Sequence, residues 1–455
     1  MPELSAELTR VAPEDLVFVV DEPTIEAGGR AIGLHYRIVG SVGRVEGAAD
    51  IAFTEAVTLP DVDDPAPVDD AFRRVARLLG LVAGLSYYKA LVPATVRVPG
   101  GLTAGEREFL AAVIRGGLGE FAYRNDVPRA LEPTIEAPQL PDDVLTPTEP
   151  QGGALVGVGG GKDSIVSLEA LRRAGVDVHL FSVNTYEPIV ATADVAGLPL
   201  LTARRTIDPL LFELNESGAF NGHVPVTAIN SLIGCLTAVR ARLGSVVFSN
   251  EASSSYGNLR WGPYDVNHQW SKGLEFEELL RRNLVGTGVE YVSLLRPLTE
   301  LAIMRRFATE TAYHSAFTSC NRAFHLDESR RRSWCGTCPK CQFVFLMLAP
   351  FTTRSALLGI FGQDVLANPD NRAGLLDLIA VGEGHKPFEC VGEPAECRAA
   401  IELLRDHPDW RDHPFLTSPG VVDIAVGELE LAELFAFSER HFLGGVLEKA
   451  AREVL

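Results

Sequence analysis

GALVGVGGGKDSIVSLEAL, residues 153–171, sets a short apolar run directly before three glycines and a helical period. Residues 154–158 read as a strand, and 164–174 as a helix with Ile165, Leu168 and Leu171 on one face. A strand, a glycine turn and a helix start together make a cradle for an anion. Glycines allow close approach, and the helix offers backbone N–H groups and the positive end of its dipole. Lys162 adds a charge and Ser164 a hydroxyl. A Walker loop needs Gly, four residues, then Gly-Lys-Ser/Thr; here Val156 holds the first Gly position and Asp163 follows the lysine. The dinucleotide pattern G-x-G-x-x-G, begun at Gly157, ends on Lys162 and also fails.

The chain outward from this segment alternates. Strand-like stretches at 176–183, 245–249 and 291–295 are interleaved with helix-like stretches at 225–243, 274–285 and 300–313. That order predicts an α/β fold with a parallel sheet covered on both faces. Ligands of such sheets sit beyond the carboxyl ends of the strands, so the loops near 159, 184, 250 and 296 are the ones to watch. Upstream, 16–20 and 34–39 read as strands and 69–90 as a helix with Phe72, Val75, Leu78, Leu79 and Leu81 on one face. Residues 132–153 carry five prolines without periodicity and read as a linker. The expected organisation is a mixed α+β N-terminal domain over 1–145, a catalytic α/β domain over 150–342, and a mostly helical region over 343–455.

A formal net charge of −19 argues against a general nucleic-acid binder. The longest apolar run, FVFLMLAPF at 343–351, is about half of a membrane span. The start, MPELSAELTR, lacks a basic-then-apolar leader pattern. A cytoplasmic protein is the expectation, with no membrane and no nucleic-acid partner. Seven cysteines, three of them within seven residues, suggest a metal site in a reducing compartment. Cys335, Cys338 and Cys341 form C-x2-C-x2-C, and Cys320 supplies a fourth thiolate, a set that suits structural zinc. The competing reading is reduced, unliganded thiols in a turn.

The stretch 249–278, SNEASSSYGNLRWGPYDVNHQWSKGLEFEE, leaves a predicted strand at the ligand end of the sheet. Its acids, bases and amides include Asn250, Glu251, Asn258, Arg260, Asp265, Asn267, His268 and Lys272. So dense a set suits a substrate site, although any one of them alone reads as a solvated residue. Arg305, Arg306 and Arg330–Arg332 are candidates to meet a carboxylate or diphosphate, with plain surface exposure as the alternative.

GGGKDS resembles the S-G-G-x-D-S loop of the ATP pyrophosphatase (PP-loop) superfamily. Gly160, Gly161, Asp163 and Ser164 match, while Gly159 stands where that pattern has Ser. A cysteine followed by C-x-x-C-x-x-C is also similar to the closing segment of the PP-loop enzyme that makes 7-cyano-7-deazaguanine. The glycine loop, SNEASSSYGN, VNHQWSK, SWCGTCPKCQFVFLMLAPF and KPFECVGEPAE together resemble the MurL family over about 16–450. That family comprises ATP-dependent epimerases of UDP-N-acetylmuramoyl-L-alanyl-L-glutamate, in peptidoglycan synthesis.

The resemblance implies a PP-loop core and an isomerase that inverts the terminal L-Glu to D-Glu. It implies ATP and Mg²⁺ as requirements, AMP and diphosphate as products, and an acyl-adenylate between. On this reading Gly159, Gly160, Gly161, Lys162, Asp163 and Ser164 bind ATP, with Asp163 also facing Mg²⁺. Glu251, His268 and Lys272 are the candidates for proton transfer, with Asp265 in reserve, and base and acid are not distinguished. The competing enzyme reading is another PP-loop adenylating enzyme that modifies a nucleobase or tRNA. A third is a non-catalytic nucleotide-binding or zinc scaffold. The sequence leaves the oligomeric state open.

Overall fold

The computed structural model describes residues 12–42, 45–142, 145, 152–324, 333–381 and 387–455. Thirteen strands form among these residues: β1 (Leu16–Val20), β2 (Thr24–Ile25), β3 (Ala31–Val42), β4 (Val45–Thr58), β5 (Thr95–Arg97), β6 (Thr134–Glu136), β7 (Ala154–Gly157), β8 (Val178–Val183), β9 (Leu200–Thr206), β10 (Ser245–Phe248), β11 (Leu259–Trp261), β12 (Tyr264–Val266) and β13 (Glu290–Ser293). The chain divides into two units that do not follow its order. The first takes residues 1–155, 201–246 and 260–291, and the second 156–200, 247–259 and 292–455.

In the first unit the strand order is β9-β4-β3-β1-β5-β6, with β2 beside β3. The sheet is mixed. β3 and β4 form a long antiparallel ladder, β4 pairs antiparallel with β9, and β1–β5 and β5–β6 pair parallel. Strand β6 lies inside the proline-rich stretch expected to be a linker. Its three residues hydrogen-bond alongside β5, so this part of the stretch is sheet. Helix Asp70–Ala83 starts where Asp69 accepts the Phe72 N–H, and it buries Phe72, Val75, Leu78 and Leu79, as the periodicity predicts. The helix ends before the expected limit of 90, and a separate turn of helix, Leu85–Tyr88, follows Gly84.

Aromatic rings fill the first unit's core. Tyr36 stacks on Tyr87 at 5.1 Å between centroids, and Tyr87 packs on Phe53 at 4.8 Å. A charged pair is buried beside them. Arg205 from β9 forks onto Glu55 from β4 at 2.7 and 2.9 Å, while Tyr87 Oη donates to Glu55 at 3.0 Å and Arg205 also reaches Ser86 Oγ.

In the second unit β7, β10 and β13 contribute their carboxyl-terminal residues, and with β8 their order is β13-β10-β7-β8. Helix Lys162–Arg173 joins β7 to β8, the strand–helix–strand unit the sequence predicts. Helix Glu187–Ala196 and β9 were not legible as elements in the sequence. β-branched residues weaken the helical signal of the first, and two arginines interrupt the apolar run of the second. Beyond the cysteines the described chain is mostly short helices. The apolar run at 343–351 falls largely in helix Pro339–Leu348, buried on every side from Cys341 onward, which identifies it as a core helix. No helix among the described residues is long and apolar enough to cross a membrane.

Glu55 is fully buried and Arg205 nearly so, so removing one partner strands the other charge. Glu55→Ala is expected to lower stability by about 3–5 kcal/mol in urea unfolding. Glu55→Ala with Arg205→Met, which removes both charges, is expected to recover much of that loss.

Candidate functional site

The glycine loop leaves β7 and closes on helix Lys162–Arg173. Val158 N–H bonds the Phe181 carbonyl, continuing the sheet for one residue. Gly160 then turns with φ +77°, and a Cβ there would sit 2.9 Å from the backbone of Pro188. Glycine is therefore required at 160 for both conformation and space. Gly159 is different: a Cβ there meets nothing within 4 Å. Gly161 is the N-cap residue, and no side chain caps this helix start. A helix N-terminus of that kind turns N–H donors toward an incoming anion. Ser164 Oγ donates to the Gly161 carbonyl at 3.0 Å and so braces the turn.

Lys162 is 3% exposed. Its Nζ lies 2.5 Å from both Asp163 Oδ1 and Glu300 Oε2. Burial works against its charge, but the Asp163 and Glu300 carboxylates outweigh it and push the pKa up, so Lys162 stays cationic. Glu300 is pushed up by its own burial, against the pull of Lys162, and further by Asp163, Glu251 and Glu396. Glu396 is also raised by burial, to about 7. Its two oxygens accept the backbone N–H groups of Glu300 and Glu393. The buried ammonium thus meets two carboxylates, of which Asp163 is partly exposed, while Glu251 and Glu396 bear on Glu300. No local pattern points to Glu300 or Glu396, since 138 residues separate Lys162 from Glu300.

Of the four proton-transfer candidates, Glu251 belongs to the second unit and Asp265, His268 and Lys272 to the first. Glu251 is buried after β10. Arg296 fixes its backbone, donating to the Glu251 carbonyl at 2.7 Å and to Ser254 Oγ at 2.8 Å, while Asn250 donates to Ser293 Oγ. Strands β11 and β12 interrupt the stretch expected to be loop. Asp265 is exposed on β12, and Lys272 ends a 3-10 turn at Trp270–Lys272. His268 Nδ1 is hydrogen-bonded to Glu120. Arg305 donates to the Leu455 carbonyl and lies over the Phe435 ring, and Arg306 pairs with Glu310. Arg330–Arg332 lie outside the described residues.

The four cysteines converge. Sγ–Sγ separations are 3.9 Å for Cys320–Cys338, 3.7 Å for Cys335–Cys341 and 3.5 Å for Cys338–Cys341. A tetrahedral ion with metal–sulfur bonds of about 2.3 Å sets its sulfurs roughly 3.8 Å apart, so the set fits zinc. Backbone N–H groups of Thr337 and Cys338 point at Cys335 Sγ, as a thiolate requires. The cluster is tied to the glycine loop. Thr318 N–H bonds the Gly160 carbonyl at 2.9 Å, and Thr318 Oγ1 accepts the Cys320 N–H at 3.1 Å.

Sequence profiles of two domains match the chain: the MurL N-terminal domain over residues 13–294 and the MurL C-terminal domain over 316–425. Relatives named UDP-N-acetyl-alpha-D-muramoyl-L-alanyl-L-glutamate epimerase align over most of its length. The protein of a Micromonospora species is 50% identical, covering 80% of this chain and 82% of the relative. That of Salinispora tropica is 48% identical, covering 80% and 81%. That of Xanthomonas oryzae pv. oryzae is 44% identical, covering 75% and 77%. No solved structure matches the chain.

Gly160→Ala is expected to strain the loop and lower the melting temperature, because its φ and the Pro188 backbone both exclude a Cβ. Gly159→Ser is expected to melt like the parent, since the position is open.

Proposed function

The chain belongs to the MurL family, and from that premise we propose that it inverts the terminal L-Glu of UDP-N-acetylmuramoyl-L-alanyl-L-glutamate to D-Glu. Identity of 44–50% to three epimerases of that name, over three quarters or more of the chain, carries this reading. The reaction is driven by ATP with Mg²⁺ and releases AMP and diphosphate. It serves peptidoglycan synthesis in the cytoplasm.

An α-proton beside a carboxylate is a poor acid, because its removal sets a second negative charge next to the first. Adenylating the carboxylate cancels the first charge. The acyl-AMP then behaves as an activated ester, whose enolate hydrogen-bond donors can stabilise. A base removes the proton, an acid returns one to the opposite face, and water cleaves the anhydride. The uncapped glycine loop, with Gly159, Gly160, Gly161 and Ser164, supports the role of phosphate grip in a PP-loop core. Asp163 and the carboxylates around Lys162 suit a hard divalent cation, which neutralises phosphate charge when bound. Lys162 holds that acidic cluster together. Glu251, His268, Lys272 and Asp265 remain the groups offered for proton transfer. Cys320, Cys335, Cys338 and Cys341 would hold a structural zinc that fixes the segment beside the loop.

The protein incubated with ATP, Mg²⁺ and the UDP-muramoyl dipeptide is expected to yield D-Glu after hydrolysis and chiral separation, with AMP formed alongside. Asp163→Ala is expected to abolish both. AMP without D-Glu would remove the inversion and keep the adenylation. Mass spectrometry of the intact protein is expected to show one zinc per chain, lost in Cys338→Ser together with nucleotide binding.

A further inference from the structure

Three side chains of ligand type, from three separate stretches of the first unit, converge within that unit. Glu120 lies in helix Gly119–Arg124, His223 in the stretch before helix Val226–Arg240, and His268 just after β12. His268 Nδ1 is hydrogen-bonded to Glu120 Oε2, and His223 Nδ1 is 3.5 Å from the same oxygen. One donor atom from each residue lies within 4.8 Å of the other two. Arg124 Nε donates to the other carboxylate oxygen at 2.6 Å, which leaves Oε2 turned to the imidazoles. The Glu120 side chain is 7% exposed, while those of His268 and His223 are 18% and 24% exposed. The carboxylate is thus buried beneath two rings that still reach solvent, so an ion has a path of entry.

Two uses compete, an internal ion pair and a metal ion. The ion pair needs only one imidazole. His268 already gives Glu120 a partner, and Arg124 gives it a second. A charged His268 opposes charge on His223, whose ring centroid is 4.6 Å from its own. His223 is thus superfluous to the pair, and an apolar side chain of similar volume would pack as well or better. A divalent ion uses all three residues. Two imidazole nitrogens and one carboxylate oxygen are a ligand set of open zinc sites. Bonds of about 2.1 Å to a tetrahedral ion set the donor atoms roughly 3.4 Å apart. His223 Nδ1 stands close to that distance from Glu120 Oε2 already. His268 shares a proton with the same oxygen, and the ion takes the place of that proton as the ring draws back. The Arg124 bond fixes the carboxylate as an outer partner does in a metal site.

We propose that Glu120, His223 and His268 form a binding site for a divalent ion of the zinc type, separate from the four cysteines. Imidazole donors favour Zn²⁺ and Co²⁺ over Mg²⁺, which prefers oxygen throughout. Arg124 and Lys272 both bear electrostatically on His223, so a dication meets opposing charge and binds less tightly than among four thiolates. The site therefore fills when the ion is supplied, and the one zinc expected to survive purification is that of the cysteines. Three protein ligands leave one position of a tetrahedral ion open. The same positive charges favour an anionic oxygen there. An imidazole that holds an ion does not carry a proton in the inversion, so this site removes His268 from the candidates for that step.

The full-length protein, purified with its cysteine-bound zinc, is titrated with Co²⁺. It is expected to take up one Co²⁺ per chain, with visible d–d absorption and no sulfur-to-cobalt charge-transfer band, and to melt at a higher temperature with the ion than without. Cobalt-edge X-ray absorption of the parent is expected to show nitrogen and oxygen neighbours with imidazole outer shells. His223→Ala keeps the Glu120–His268 pair. It is expected to melt like the ion-free parent and to bind Co²⁺ more weakly by more than the roughly 10–100-fold that loss of an outer partner costs. No uptake by the parent at millimolar Co²⁺ would overturn the proposal. So would sulfur neighbours, a spectrum without imidazole shells, or His223→Ala binding as tightly as the parent. The absorption measurement needs no variant, so it decides even where His223→Ala does not fold.

Discussion

The buried ammonium of Lys162 organises the second unit's glycine loop. It sits at the first helical residue, and its two carboxylate partners come from the adjacent position and from Glu300, the first residue of helix Glu300–Phe307. A lysine so deeply buried keeps its charge only because these partners outweigh desolvation. Its loss would remove the cation that Asp163 and Glu300 share.

The first unit depends on an equivalent device in a different place. Glu55 and Arg205 are 150 residues apart, and their fork joins β4 to a strand that returns only after the chain has passed through 156–200. Each unit is assembled from three segments of chain. Such long-range closure is slow and entropically unfavourable, so strongly specified contacts at the joins are needed. Buried forked ion pairs specify partner and register more sharply than apolar packing does.

What the sequence showed and what it hid divide along the same line. The glycine loop was legible because its chemistry is local: strand, turn and helix start lie within twenty residues. The cysteine spacing was legible for the same reason, and Cys320 is only 15 residues from Cys335. Glu300, Glu396, Glu120 and His223 were not legible. Each is an ordinary polar residue in its own element and gains meaning only from a neighbour brought close by the fold. Residues 249–278 were legible as a group of chemistry-bearing side chains. Their division between two units, Glu251 in one and His268 in the other, was not.

The cysteine cluster and the glycine loop are one construction. Thr318 donates its N–H to Gly160 and uses its hydroxyl both to accept the Cys320 N–H and to donate to the Ser333 carbonyl. A single residue therefore links the glycine-loop backbone to both sides of the sulfur cluster. Gly161 packs against the same segment, where a Cβ would come 3.2 Å from Ser319 Oγ. A glycine turn is intrinsically mobile, since glycine loses more freedom on ordering than any other residue. A loop that grips an anion through backbone N–H groups must be held in place before the ligand arrives, or ordering it subtracts from binding. Cys320, two residues from the Thr318 contact, ties the glycine loop to the four converging sulfurs.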